Sequence, residues 1–115
     1  MKWIVAWLMM LLCVPVLAGV RVVDDSGHAF EFDRPVTRIV SLSPHITELL
    51  FAAGATHQLK GTVSFSDYPA AAKQVPLIGS YNRFDVERIA ALKPQIIIAW
   101  QSGNPASQVD MLKQL

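Results

Sequence analysis

The groups able to do chemistry in this 115-residue sequence are few: three histidines, one cysteine, and scattered hydroxyls and carboxylates. His28, His45 and His57 show no metal-ligand spacing and have no cysteine beside them, so no metal site is expected. No GxGxxG or GxxxxGK[ST] run occurs, which leaves nucleotide binding without its usual sequence support. Ser41 and Ser43, just before a predicted helix, can hold an anion or simply cap the helix. His45 falls in the first turn of that helix and is a candidate ligand contact. His28 and His57 read as solvated. Asp67 has no partner carboxylate at a readable spacing and suits an Asx-turn within SDYP. Neither a catalytic constellation nor a bound cofactor is expected. What remains is aromatic: Phe65 and Tyr68, Tyr81 and Phe84, and Trp100 fall in or beside predicted loops. Either these rings fold back onto their own domain or they form an apolar surface for a ligand.

The elements that must position these rings follow from local pattern. VRVV (20–23) and HAFEF (28–32) alternate around DDSG and predict a β-hairpin turning at Gly27. RIVSL (38–42) suits a buried strand, followed by a helix with Ser43 as N-cap, Pro44 first and Gly54 closing. Leu49, Leu50 and Ala53 are expected to extend an apolar face begun by Ile46. KGTVSF (60–65) and VPLIG (75–79) predict a second and a third strand. FDVERIAALKP then predicts a helix capped by Asp85, stapled by Phe84 and Ile89, and stopped at Lys93-Pro94. QIIIAW (95–100) reads as a parallel strand covered on both faces, and ASQVDMLKQL as a last amphipathic helix. Strands alternating with helices predict an α/β fold with a parallel, Rossmann-like sheet, preceded by the hairpin. Ligands in such sheets sit beyond the carboxyl ends of the strands. That rule selects SLSP, SFSDYP, GSYNRF and WQSGN, and three of these four carry the aromatics.

Of the sequence, 52% is hydrophobic, and the excess sits at the front. KWIVAWLMMLLCVPVLA has the pattern of a secretory signal peptide spanning residues 1–18, with small residues Val16 and Ala18 before the cleavage point. A retained membrane anchor is the alternative, since Trp3 to Val20 carries no charge. A lipid-modified Cys13 fits less well, because Leu12 stands where a small residue belongs. Residues 19–115 form the predicted lobe. Setting aside Lys2, the ten basic residues become nine, against nine acidic ones. With no basic run among them, nucleic acid is excluded as the expected partner. The last helix has no strand after it, so the layer is expected to be truncated.

RIVSLSPHITELLFAAG, SFSDYP and FDVERIAALKPQIIIAW with SGNPASQVD after it resemble the amino-terminal lobe of periplasmic substrate-binding proteins of ABC importers. The resemblance covers residues 38–115, and within the group SxSDYP and ERIxALKPxxIIAW point to the cobalamin-binding branch. It implies two α/β lobes with the ligand between them, of which this chain matches the first. It implies no enzymatic activity, a periplasmic location, a monomer, and a partner permease in the inner membrane. It places the ligand-contacting aromatics at Phe65, Tyr81 and Trp100, and the permease-docking glutamate at Glu87. Glu87 by itself reads as a carboxylate favourably placed at a helix N-terminus. Ser43, His45 and Tyr68 are further candidates for ligand contact, with Tyr68 otherwise the ring that packs the SFSDYP loop. Cobalamin is the implied ligand. Haem or an iron-siderophore, with Tyr68 or Tyr81 near the metal, is the alternative within the group, and half of an exported α/β enzyme is the alternative outside it.

Overall fold

A computed structural model of the chain describes residues 19–115. The expectations for residues 1–18, namely the signal peptide, the anchor and the Cys13 modification, lie outside the described residues. Among the described residues no helix is long and apolar enough to cross a membrane. The chain divides into two units between Pro35 and Val36.

The first unit is the expected hairpin. Strands β1 (Val20–Val23) and β2 (Ala29–Phe32) pair antiparallel, with Val20 opposite Phe32 and Val22 opposite Phe30. Arg21 and Glu31 face each other at 3.5 Å, but both are well exposed, so the pair adds little stability. The turn is built on Asp24. One carboxylate oxygen accepts from the Ser26 hydroxyl (2.6 Å), the His28 N–H (2.9 Å) and the Ser26 N–H (3.0 Å). Gly27 takes φ +84°, a conformation open to glycine at no steric cost.

The second unit carries a three-stranded parallel sheet in the order β4-β3-β7, made of β3 (Ile39–Ser41), β4 (Leu59–Gly61) and β7 (Ile96–Ile98). The central strand β3 is fully buried. It pairs Ile39, Val40 and Ser41 with Ile96, Ile97 and Ile98. Three short helices follow strands or loops: α1 (Pro44–Ala52), α2 (Val86–Ala91) and α3 (Ala106–Leu112). The α1 and α2 caps are the expected ones. The Ser43 hydroxyl accepts from the Ile46 N–H, and the Asp85 carboxylate accepts from the Arg88 N–H. Gly54 takes φ +81° just beyond α1. Phe84 and Ile89 are both buried in one cluster with Val40, Leu42, Val63, Ile78 and Leu112, as a staple requires. Each such side chain removed from water contributes roughly 1.5–3 kcal/mol. Gly61 is needed for close approach, because a Cβ there would lie 2.8 Å from Leu92 Cδ1 and 2.9 Å from Ile78 Cγ2.

Three expectations are corrected. The buried side of α1 is Ile46 and Thr47, whereas Leu49 is 65% exposed and Ala53 is exposed. Leu49 lies about 200° round the helix axis from Thr47, so burying one turns the other outward. VPLIG does not form a third sheet strand. Leu77 makes a single parallel bridge with Thr62, and the chain then turns into the antiparallel pair β5 (Gly79–Ser80) and β6 (Arg83–Phe84). Ile96–Ile98 are half-buried rather than covered on both faces, since β7 is the outer strand of this sheet. A 3-10 turn over Ala70–Gln74, unmarked by any periodicity, buries Ala72.

The hairpin turn gives a pH prediction. The Ser26 hydroxyl, with the His28 and Ser26 amides, holds the Asp24 carboxyl below its ordinary value. A carboxylate lowered in the folded state contributes stability above its unfolded pKa and loses it as pH falls through the folded one. The Ser26 and His28 amide resonances should therefore keep their hydrogen-bonded shifts through the ordinary carboxylate range and lose them together only below it. Titration of both amides above the ordinary carboxylate range would contradict this, and Asp24→Ala should abolish both shifts at every pH.

Candidate functional site

The loops beyond the carboxyl ends of the strands are joined by two sets of neutral hydrogen bonds. The first centres on Asn104, which is only 6% exposed. Its Oδ1 accepts from the Trp100 N–H (2.6 Å), and its Nδ2 donates to the carbonyls of Leu42 (2.9 Å) and Tyr81 (2.7 Å). One carboxamide thus ties SLSP, GSYNRF and WQSGN together. Four residues on, within α3, Gln108 accepts from the Phe84 N–H and donates to the Asn82 carbonyl, fixing the β5–β6 turn a second time.

The second set is a chain of buried hydroxyls. Thr47 donates to the Ser41 hydroxyl (2.9 Å) or the Ser43 carbonyl (3.2 Å) and meets Thr62 at 2.5 Å, and Thr62 meets Ser66 at 2.9 Å. Ser66 is the buried foot of the SFSDYP loop, and Ser64 adds bonds from its N–H and hydroxyl to the Gly79 carbonyl. With Ser66 held inward, Phe65 takes φ +67° and its ring is 81% exposed. A bulky residue in the left-handed region is strained, a state found where surrounding structure over-determines the backbone.

The sequence-predicted residues sort as follows. Phe65, Tyr68 (70%), Tyr81 (46%) and Trp100 (39%) are all exposed. Tyr68 does not pack its loop as expected; the inward side chain there is Ser66, whose hydroxyl finds partners in Thr62 and Thr47. Ser43 is fully buried and caps α1, while its hydroxyl also meets His45 Nδ1 at 3.0 Å. The His45 ring stands edge-on to Trp100 at 5.1 Å between centroids. Tyr81 and Trp100 are brought together through Asn104, and Phe65 and Tyr68 share the Ser66-anchored loop. Glu87 lies apart, exposed in the first turn of α2. A depression of about 400 Å³ lined by Gly79, Arg83, Phe84 and Asp85 lies at the β5–β6 pair and is lined by none of the four rings. Among the described residues no three His, Cys, Asp or Glu side chains gather as a metal ion would need. Asn104 and the hydroxyl chain were missed from the sequence, where only SGNP and the Ser/Thr content of the loops hinted at them.

The arrangement offers flat apolar faces on a neutral, hydrogen-bonded base, which suits binding rather than bond-making. The pattern of the family described as periplasmic binding protein matches residues 39–114. The chain belongs to that family. Relatives of a periplasmic binding protein are substrate binders and not enzymes, in keeping with the site. One is the vitamin B12-binding protein of Vibrio vulnificus (strain CMCP6), 44% identical over 80 residues, covering 70% of this chain and 29% of the relative. Among solved structures, the periplasmic vitamin B12 binding protein BtuF of Vibrio cholerae has a TM-score of 0.66 at 40% identity, covering 70% of this chain and 31% of that one. The periplasmic heme-binding protein RhuT of Roseiflexus sp. RS-1 gives 0.63 at 32%, with the same two coverages. The chain therefore spans about three-tenths of the length of the relatives it matches.

The left-handed Phe65 predicts a reversal of the usual glycine–alanine order. Alanine normally exceeds glycine in stability, but at positive φ glycine avoids a penalty of roughly 1–2 kcal/mol. Phe65→Gly should therefore be more stable than Phe65→Ala by about 1 kcal/mol in urea unfolding. The opposite order would mean that residue 65 is not held left-handed.

Proposed function

We propose that this chain forms one wall of a two-lobed periplasmic receptor that captures cobalamin and delivers it to an ABC importer in the inner membrane. The observation that carries this reading is the three exposed rings, Phe65, Tyr81 and Trp100, on loops tied by hydrogen bonds beyond the carboxyl ends of the strands. A corrin is large, mostly flat and partly apolar, and each covered aromatic removes on the order of 150–250 Å² from water. The likeness to proteins named for vitamin B12 supports the choice of ligand.

In this reading the binding step involves no covalent chemistry. The ligand displaces water from the rings, the second lobe covers its other face, and the monomeric receptor then docks. Glu87, exposed at a helix N-terminus, would supply this lobe's carboxylate for basic residues of the permease. Residues 1–18 would direct export and be removed after Ala18. Ser43 serves chiefly as a cap, whereas His45 and Tyr68 remain at the margin of the ligand face. A second reading, haem or a ferric siderophore as ligand, draws on the likeness to RhuT and on the exposed phenol of Tyr68.

Titration decides between them. With Trp3→Phe and Trp7→Phe, Trp100 is the sole tryptophan, and its fluorescence reports on ligand. Cyanocobalamin should quench it with a dissociation constant of roughly 10⁻⁵ to 10⁻³ M, since one wall provides about half of a cleft's free energy. Haemin and a ferric siderophore should bind more weakly. A response to haemin without one to cyanocobalamin would overturn the choice of ligand, and a sub-micromolar constant for this wall alone would overturn the two-lobed cleft. Phe65→Ala should weaken cyanocobalamin binding roughly tenfold, the value of about 1.4 kcal/mol of lost contact. Glu87→Gln should leave that constant unchanged while lowering association with the reconstituted permease; equal docking by both forms would remove Glu87 from the interface.

A further inference from the structure

We propose that Trp100 is a preset ligand face, seated by Gly103, Asn104 and His45, and that these three act as positioning residues which fix the plane a bound macrocycle must adopt. The proposal deepens the cobalamin reading and rests on it for the ligand, but the seat itself is a property of the free protein.

Two restraints meet on the Trp100 side chain and a third holds its main chain. A Cβ on Gly103 would fall 1.9 Å from Trp100 Cε3 and 2.2 Å from Cδ2 and Cζ3, so the indole lies directly against the bare Cα. The backbone at Gly103 is not left-handed, and the ring rather than φ is what requires glycine there. Asn104 holds the Trp100 backbone N–H, while the N–H groups of Gly103 and Asn104 both donate back to the Trp100 carbonyl, at 3.1 and 2.9 Å, so the course of the chain beneath the ring is fixed. His45 meets the ring at 85°, and its own ring is steadied by the Ser43 hydroxyl. Even so, Trp100 is 39% exposed, leaving part of the indole open to a ligand.

An exposed ring without such a seat samples several rotamers and must be immobilised on binding, which weakens affinity by roughly three- to tenfold for one side chain. A seated ring avoids that loss. It also presents one plane only, so a flat ligand is accepted at one tilt.

The test uses the 115-residue chain with Trp3→Phe and Trp7→Phe, so that emission comes from Trp100 alone. Gly103→Ala should lower the fluorescence anisotropy of the ligand-free protein and raise acrylamide quenching, with little change in the urea midpoint. Asn104→Ala should move both signals the same way and lower the midpoint as well. Gln108→Ala loosens Asn82 and Phe84 without touching Trp100, and should leave both signals at the parent value. Cyanocobalamin affinity should fall roughly three- to tenfold in Gly103→Ala. Unchanged anisotropy and quenching in Gly103→Ala would overturn the seat. A displaced ring with unchanged cyanocobalamin affinity would overturn its role in binding. If the parent itself fails to respond to cyanocobalamin, the ligand assignment falls, and the ligand-free signals still decide the seat.

Discussion

Half of the loop edge beyond the carboxyl ends of the strands depends on how one buried carboxamide is satisfied. Asn104 offers one acceptor and two donors, and uses them on backbone groups of Trp100, Leu42 and Tyr81. Leu42 lies 62 positions from Asn104 in the sequence, and Tyr81 lies 23. An aspartate could not donate, and an alanine would leave buried backbone groups unpaired, at about 1–3 kcal/mol each. Because the partners are carbonyls and an N–H rather than side chains, the bonds fix the course of the loops themselves. Ring positions follow from loop positions.

The hydroxyl chain does the same work for the other half of the edge. Ser41, Thr47, Thr62 and Ser66 are all buried, and among the described residues every buried side-chain nitrogen or oxygen has a partner. The chain links β3, α1, the segment after β4 and the SFSDYP loop using neutral groups alone. No charge has to be desolvated to build it, which avoids the several kcal/mol that a buried ion costs. Its consequence appears at Phe65. An inward Ser66 leaves the preceding residue turned outward and left-handed, so strain and exposure at Phe65 have the same origin.

Legibility in the sequence followed the range of the interactions. The hairpin turn, both helix caps, the Phe84–Ile89 staple and the stop at Lys93-Pro94 depend on residues within a few positions, and all were readable. The parallel strands around RIVSL and QIIIAW were readable from β-branched runs. What was not readable depended on distant partners. Nothing local distinguishes Asn104 from any loop asparagine before proline, because its meaning lies in Leu42 and Tyr81. Thr47 outcompeted Leu49 for the buried side of α1 only because Ser41 and Thr62 were waiting for its hydroxyl. VPLIG had the composition of a strand, yet Pro76 has no N–H to donate, and the segment bonds mainly through Pro76 and Ile78 to Thr62. The surface positions of Phe65, Tyr81 and Trp100 were legible from their place at the ends of predicted strands, whereas Tyr68 is exposed where a packing role was expected.

The two bonded sets also explain why so much aromatic surface can stay exposed without the loops collapsing onto it. Left to itself, a loop carrying Phe65 or Trp100 would gain by folding the ring onto the nearest apolar patch. Here that movement would break hydrogen bonds that are buried or partly buried, at about 1–3 kcal/mol for each buried group left unpaired. Exposure is therefore stable rather than merely tolerated. In the proposed receptor the rings would be ordered during folding, so little further ordering is charged to binding. The same rigidity narrows the choice of ligand. In the proposed receptor, a face that cannot repack accepts only what is flat enough to lie on rings already in place.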